Sequence, residues 1–248
     1  MSAEAKAIPS TDPKVICLLD VLGFESMLDR IGLEGIHAKY QLLIERVREQ
    51  RGGLDIVPLP DGSVAVGYAP VGNAYFSDSL LFWSGWAGPV GLFSFTQMIA
   101  EMICLGIEIA LPLRGAIAIG ESILESDSGI FLGKPLVEVA RTERLQQWIG
   151  VSFGSSFFED RFKGHFYLNT VLPFKSQYKD PKGPYVTGIA VDWPRRWRES
   201  RTGSIGDGLK SLDVDDAFSD YYRRTQRFVD FSAENHDWFK SGAHLDYG

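Results

Sequence analysis

Asp20 closes the apolar run VICLLD at 15–20, and Asp78 interrupts an aromatic-rich run, NAYFSDSLLFW, at 73–83. Nothing basic stands beside either residue. A carboxylate among strand residues is costly unless it faces water or is matched by a cation. Two such carboxylates brought close together repel, and one is driven neutral. A divalent cation removes that conflict. Hard oxygen ligands suit Mg2+ or Mn2+, which keep their other positions for water and phosphate oxygens. Gly23 follows Asp20 and lets the chain turn into a helix at once. The free N–H groups of the first helical turn then form a cradle for an anion. Each aspartate also has a plainer reading, Asp20 as a helix cap and Asp78 as an Asx-type turn. Their joint placement favours the cation site.

Elements must bring these residues together. The run at 15–20 has β-branched members and predicts a buried strand. After Gly23, Leu28, Ile31, Ile36, Tyr40, Leu43, Ile44 and Val47 follow the helical period and predict a helix over about 24–50, stopped by Arg51-Gly52-Gly53. Residues 54–72 carry Pro58, Pro60 and Pro70 and read as a loop with one short strand at 64–68. Residues 74–76 and 80–83 predict a hairpin turning at Ser77-Asp78-Ser79. A helix at about 89–105 ends at Gly106, and 113–119 predicts another buried strand. Strand, helix, strand, strand, helix, strand is the ferredoxin-like split βαβ order. The fold class is therefore α+β, with an antiparallel sheet and both helices on one face. In that order the first strand neighbours the hairpin, so Asp20 and Asp78 converge.

The second half predicts strands at 130–132, 150–153, near 166–168 and near 186–191, a helix at about 136–147 and a short helix after Ser155. The expected organisation is a loose tail at 1–12, a main domain at 13–197, a Gly/Ser-rich charged linker at 198–212, and a C-terminal amphipathic helix and tail at 213–248. Asp213, Asp215 and Asp216 stand where a helix N-terminus favours acids.

The net charge of −7 over 248 residues argues against sequence-independent nucleic-acid binding, which rests on phosphate neutralisation by Lys and Arg. Cys17 and Cys104 lie in apolar runs and read as small buried hydrophobes, with no disulfide framework and a reducing compartment. The N-terminus has no apolar core of a signal peptide, and no uninterrupted apolar stretch reaches a membrane span. A cytoplasmic location without membrane contact is the expectation. GIFLGKP at 129–135 fails the P-loop pattern, because Pro135 stands where Ser or Thr is needed. His37, His165, His236 and His244 show no ligand spacing. WPRRWR at 193–198 reads as an exposed turn or a dimer contact.

Four segments together go further. LLDVLGF (18–24), YFSDSLLFW (75–83), LPLRGAIAIGE (111–121) and FLGKPLVEVARTER (131–144) resemble, in order, the four motifs of class III nucleotidyl cyclase catalytic domains. The resemblance covers about residues 14–155, and the RGAIAIGE and GKPLVEVARTE forms look most like the bacterial Pycsar pyrimidine cyclases. It implies that Asp20 and Asp78 hold two divalent ions, Mn2+ or Mg2+, with the Val21 carbonyl as a further ligand. Leu22, Gly23, Phe24 and Ser77 are the implied substrate-binding residues beside them. Arg141 matches the arginine that stabilises charge on the reacting phosphate and comes from the partner protomer, so a homodimer with shared active sites is implied. The implied reaction is attack of the ribose 3′-oxygen on the α-phosphate with release of pyrophosphate. The implied product is a second messenger of antiphage defence.

Two departures sharpen the expectation. The purine-reading lysine of adenylyl cyclases falls on Ala74, and the family's asparagine falls on Val137. A smaller base, from UTP or CTP, then fits better. Arg114 and Tyr75 or Phe76 are the candidates for contacting it, by donation and by stacking. Arg114 can instead serve a structural ion pair, and neighbouring strand residues face opposite ways, so one of the two aromatics belongs to the core. The competing function is a catalytically degenerate cyclase-fold domain that binds a nucleotide or a partner without turnover.

Overall fold

The run that ends at Asp20 becomes the central strand of the sheet. The computed structural model describes residues 11–50, 55–58, 64–67, 71–85, 88–159, 171–172, 188–212 and 218–235. Strand β1 (Pro13–Val21) lies between β5 (Ser79–Gly85) and β6 (Leu113–Glu125), antiparallel to both. Strand β4 (Val71–Phe76) pairs with the outer side of β5. Strand β8 (Gly150–Phe153) runs parallel to β6, and β10 (Ala190–Val191) and β9 (Val171–Leu172) extend the sheet. Strand β7 (Ile130–Gly133) pairs with the far end of β6. The order β4-β5-β1-β6 is that of the split βαβ sheet. The α+β class and the antiparallel core therefore stand as the sequence implies. Strands β2 (Asp55–Pro58) and β3 (Val64–Gly67) make a separate ribbon, of which the sequence pattern shows only the second half.

Alternation along β1 sorts its residues between two faces. Val15, Cys17, Leu19 and Val21 enter the main core, covered by Met27, Ile36, Leu43 and Val47 of helix α1 (Phe24–Gln50) and by helix α2 (Gly88–Glu108). Both helices lie on that one face, as expected. Ile16 joins a smaller cluster with Leu81, Trp83, Ala116, Ala118 and Val139, capped by helix α3 (Lys134–Leu145) on the opposite face. Asp20 has the parity of Ile16. Helix α1 is broken at Gly32 (φ 69°, ψ 175°), a conformation that glycine adopts without steric cost. Val90–Glu108 is long and apolar enough to cross a membrane by composition, but 83% of its most apolar window is buried inside the fold. Cys17 and Cys104 are free and buried, and burial pushes both thiol pKa values up.

Gly115 shows how closely β1 and β6 approach. A Cβ there would stand 2.3 Å from the Leu18 carbonyl oxygen, which backbone pairing holds in place. Gly115→Ala is expected to cost about 3 kcal/mol of stability, the upper end of ordinary overpacking, read as a lower urea midpoint with unchanged slope. A midpoint equal to wild type would show that the strands can part freely.

Two sequence expectations change. WPRRWR is not an exposed turn: it opens helix α4 (Trp193–Ser200), with Trp193 and Trp197 buried. Residues 198–212, expected as a linker, hold the end of α4 and helix α5 (Ile205–Lys210), with Ile205, Leu209 and Leu212 buried. The cause is Glu101 of α2, only 4% exposed, which pairs with Arg201 at 2.7 Å and Arg196 at 2.9 Å. Those arginines look solvent-bound in sequence yet serve a buried partner, while Trp193 and Trp197 of the same segment pack inward. Helix α6 (Ser219–Glu234) is the core of the expected C-terminal helix. The acids at 213–216 and the expected strand at 166–168 lie outside the described residues.

Asp192 links α4 to α6. It caps α4 by accepting from the Arg195 N–H (3.2 Å) and accepts the Ser232 hydroxyl at 2.5 Å, while Arg198 donates to Ser232 Oγ at 2.8 Å. Burial pushes its carboxyl up to about 6, against the opposing Ser232 bond. Between pH 4 and 6 the folded protein keeps a proton that the unfolded chain has released, so stability from this group falls as pH rises through that window. The shift from 3.8 corresponds to a loss on the order of 3 kcal/mol. Asp192→Asn is expected to match wild type near pH 4 and to exceed it near pH 7, by chemical denaturation. An equal stability difference at both pH values would rule this out.

Candidate active site

Register brings the two aspartates together. Asp20 pairs with Ser79 on β5 and with Arg114 on β6, and Asp78 precedes Ser79 in the turn. The loop between β4 and β5 is the two residues Ser77 and Asp78, since Phe76 pairs with Ser79. Ser77 is left-handed (φ 52°), as the first residue of a tight hairpin turn requires and as serine rarely is. Two bonds hold that turn. The Val21 N–H donates to the Asp78 carbonyl at 3.0 Å, and the Tyr40 hydroxyl of α1 donates to the Ser77 carbonyl at 2.8 Å. Burial raises the Tyr40 pKa, and the charges of Asp78 and Asp20 raise it further. Gly23 (φ 72°) turns the chain from β1 into α1.

A cavity of about 800 Å3 opens over this end of the sheet. Asp20, Val21, Leu22, Gly23, Phe24, Asp78 and Arg114 all border it, together with Glu25, Ser26 and Asp29 from the start of α1. Ser77, Tyr75 and Arg141 do not border it. Tyr75 packs on the main core, edge-on to Phe82 at 6.2 Å. Phe76 stands on the other side of the strand, 48% exposed and edge-on to Phe131 at 5.7 Å. Of the two aromatic candidates, Tyr75 is thus the one in the core.

Arg114 lies between two carboxylates. Its Nη2 is 3.1 Å from Asp20 Oδ2, and its Nε donates to the same oxygen at 3.2 Å. Glu143 Oε1 of α3 is 2.7 Å from Nε but off its hydrogen-bond axis, so that buried oxygen has a charge partner without an aligned bond. A third link runs from Nη1 to the Gln146 carbonyl at 3.0 Å. Burial raises the Asp20 pKa; Arg114 opposes the rise and the charge of Asp78 adds to it. Burial also pushes Glu143 up to about 7, with Arg114 opposing and Asp20 adding.

The donor set fits a divalent cation. Two carboxylates border one open cavity, the charge of Asp78 raises the cost of ionising Asp20, and a cation between them would relieve it. Among the described residues no cluster of three or more His, Cys, Asp or Glu side chains gathers to hold a metal. The remaining ligands would come from backbone, water and substrate oxygens.

Sequence reasoning missed Tyr40, Glu143, Arg144 and the aromatic residues Phe218 and Tyr221, the last three of which also border the cavity. For Glu143 a signal existed. Val139, Thr142, Glu143 and Gln146 recur at helical spacing on the buried side of α3. For Phe218 and Tyr221 there was none, because the docking of α6 is a tertiary event.

The core sheet, its helices and the β4–β5 turn define the fold of class III nucleotidyl cyclase catalytic domains. Among solved structures the chain is similar to the adenylyl cyclase CyaB from P. aeruginosa, with a TM-score of 0.50 at 9% identity over 72% of this chain and 92% of that one. It is also similar to the catalytic core of a rhodopsin-guanylyl cyclase with converted specificity, solved in complex with ATPalphaS, with a TM-score of 0.48 at 12% identity over 73% and 95% of the chains. No protein-family model matches, and no curated protein matches by sequence. At 9% identity the likeness to CyaB speaks for the fold alone.

Proposed function

We propose that the protein is a metal-dependent pyrimidine nucleotide cyclase, converting UTP or CTP to the 3′,5′-cyclic nucleotide and pyrophosphate. The observation that carries this reading is the meeting of Asp20 and Asp78 on one cavity beside Arg114, on a cyclase fold. Asp20, Asp78 and the Val21 carbonyl would hold two divalent ions, which when bound activate the ribose 3′-hydroxyl and neutralise the triphosphate. The 3′-oxygen forms a bond to the α-phosphorus as the bond to pyrophosphate breaks. Leu22, Gly23 and Phe24 present the start of α1 to the phosphates. Ser77 sets the turn that aims Asp78. Arg114 exchanges its bond to Asp20 for a substrate oxygen while Glu143 keeps its other side.

Ala74 supports a pyrimidine. It stands on the α3 face, the side of Asp20, and packs against the smaller cluster, where its methyl group cannot donate to a purine as a lysine would. Arg141 is exposed and off its own chain's cavity, as an arginine offered to a partner must be. Phe76, Ile130, Leu132 and Val137 are exposed apolar residues of β4, β7 and α3, which suits a homodimer with shared sites. A cytoplasmic location, which the two buried free thiols suit, and a role in antiphage signalling, which rests on the motif resemblance alone, complete the proposal.

A second reading has its own observation. Val137 is 50% exposed where the family has an asparagine, which suits a degenerate domain that binds without turnover. One experiment separates the two. The purified chain is incubated with each of the four NTPs and Mn2+, and products are identified by mass spectrometry. Cyclic UMP or cyclic CMP is the expected product. Metal-dependent NTP binding without any cyclic product would overturn the cyclase in favour of the degenerate domain.

A further inference from the structure

We propose that Arg144 and the first turn of α6 form the terminal-phosphate end of the nucleotide site, supplied by the same chain as Asp20 and Asp78. This inference rests on the cyclase reading and extends it to residues beyond the four motifs.

The charges on the cavity wall motivate it. Four acids border the cavity, Asp20, Glu25, Asp29 and Asp78, against two cations, Arg114 and Arg144. Arg114 is committed to Asp20 and Glu143. Arg144 is exposed at the wall, one residue beyond buried Glu143. A triphosphate that enters this cavity brings more negative charge than its α-phosphate end can discharge. Arginine offers a planar fork of donors that suits phosphate oxygens. Arg141, one turn earlier on α3, does not border the same cavity. The two arginines thus serve different sites, Arg144 its own chain's and Arg141 the partner's.

Helix α6 completes this end. Phe218 and Tyr221 form an edge-to-face pair at 5.5 Å on the wall, and the Phe218 ring lies 3.8 Å from where a side chain on Gly23 would begin. They are held there by bonds to the segment after α3. The Ile149 N–H donates to Thr225 Oγ1 at 2.8 Å, Arg224 donates to Gln147 Oε1, and Trp148 meets Phe228 edge-on at 4.6 Å. Arg144 and the first turn of α6 therefore belong to one docked unit. Phe218 excludes water beside the start of α1, and the Tyr221 hydroxyl adds a neutral donor.

The test uses the full chain and Mn2+ with inorganic tripolyphosphate, which carries no base or ribose, by calorimetry. Wild type is expected to bind it. Arg144→Ala is expected to weaken binding about 10-fold, Arg144→Lys to recover part of that, and Tyr221→Phe to weaken it about 3-fold. Mn2+ affinity measured without the polyphosphate is expected to stay unchanged in all three, and far-UV circular dichroism checks their folding. A second arm mixes Arg144→Ala chains with Asp78→Asn chains. Because Arg144 acts within its own chain, the mixture is expected to turn over no faster than the Arg144→Ala chains it contains do alone. Tripolyphosphate binding by Arg144→Ala as tight as wild type, or a mixture that turns over faster than its Arg144→Ala chains do alone, overturns the inference and leaves the cyclase reading standing. A wild-type chain that binds neither Mn2+ nor tripolyphosphate overturns both.

Discussion

Asp78→Asn is expected to abolish cyclic-nucleotide formation, by about 1000-fold or more, without loss of melting temperature. The factor corresponds to about 4 kcal/mol of barrier, a moderate demand on a residue proposed to help hold the ions that activate the nucleophile. The substitution isolates charge from shape. Asparagine has nearly the volume of aspartate and the same turn preference. The bonds that fix the turn, from the Val21 N–H and the Tyr40 hydroxyl, both go to backbone carbonyls and do not depend on the side chain. The fold should even relax slightly, because the charge of Asp78 raises the cost of ionising Asp20. Mn2+ affinity should fall with turnover. Turnover within tenfold of wild type would remove Asp78 from the proposed chemistry. Loss of turnover together with unfolding would show that the residue serves the turn instead.

The second large effect concerns Arg141. Arg141→Ala is expected to lower turnover by about 100-fold, the usual cost of one lost donor to transition-state charge. More telling is its mixture with Asp78→Asn. In a symmetric dimer with sites shared across the interface, a mixed dimer has one site with both defects and one intact. An equal mixture of the two inactive chains is then expected to regain about one quarter of wild-type activity, since half the dimers are mixed and each has one working site. No recovery at any mixing ratio would show that Arg141 acts within its own chain, or not at all. The contrast with Arg144, for which no recovery is expected, makes the pair of mixtures a map of which arginine crosses the interface.

The readable part of this molecule was the part encoded by local pattern and chain order. Asp20 could be placed because a strand, a glycine and a helix follow one another. Asp78 could be placed because two apolar runs meet at Ser-Asp-Ser. Their meeting followed from the split βαβ order alone. What escaped depends on partners distant in sequence. Arg196 and Arg201 gave residues 193–212 the look of solvent-exposed chain, and only Glu101 on α2 explains why the segment folds inward. Tyr75 and Phe76 could not be told apart until the register fixed the parity of β4. Glu143 hid in a run of charged residues, although its helical phase marks it as buried. The wall formed by α6 left no trace, because docking of a C-terminal helix is decided by shape at Trp148 and Phe228.

Cys17 sits on β1 three residues before Asp20, fully buried, with Phe82 and Ile117 as its register partners on the two neighbouring strands. Its thiol cannot reach a reagent, or ionise to attack one, unless the helices that cover the main core part from the sheet that carries Asp20. The rate at which that sulfur is alkylated is therefore a clock for opening of the scaffold under the site. It needs no introduced probe and reads the same strand whether or not a nucleotide is bound.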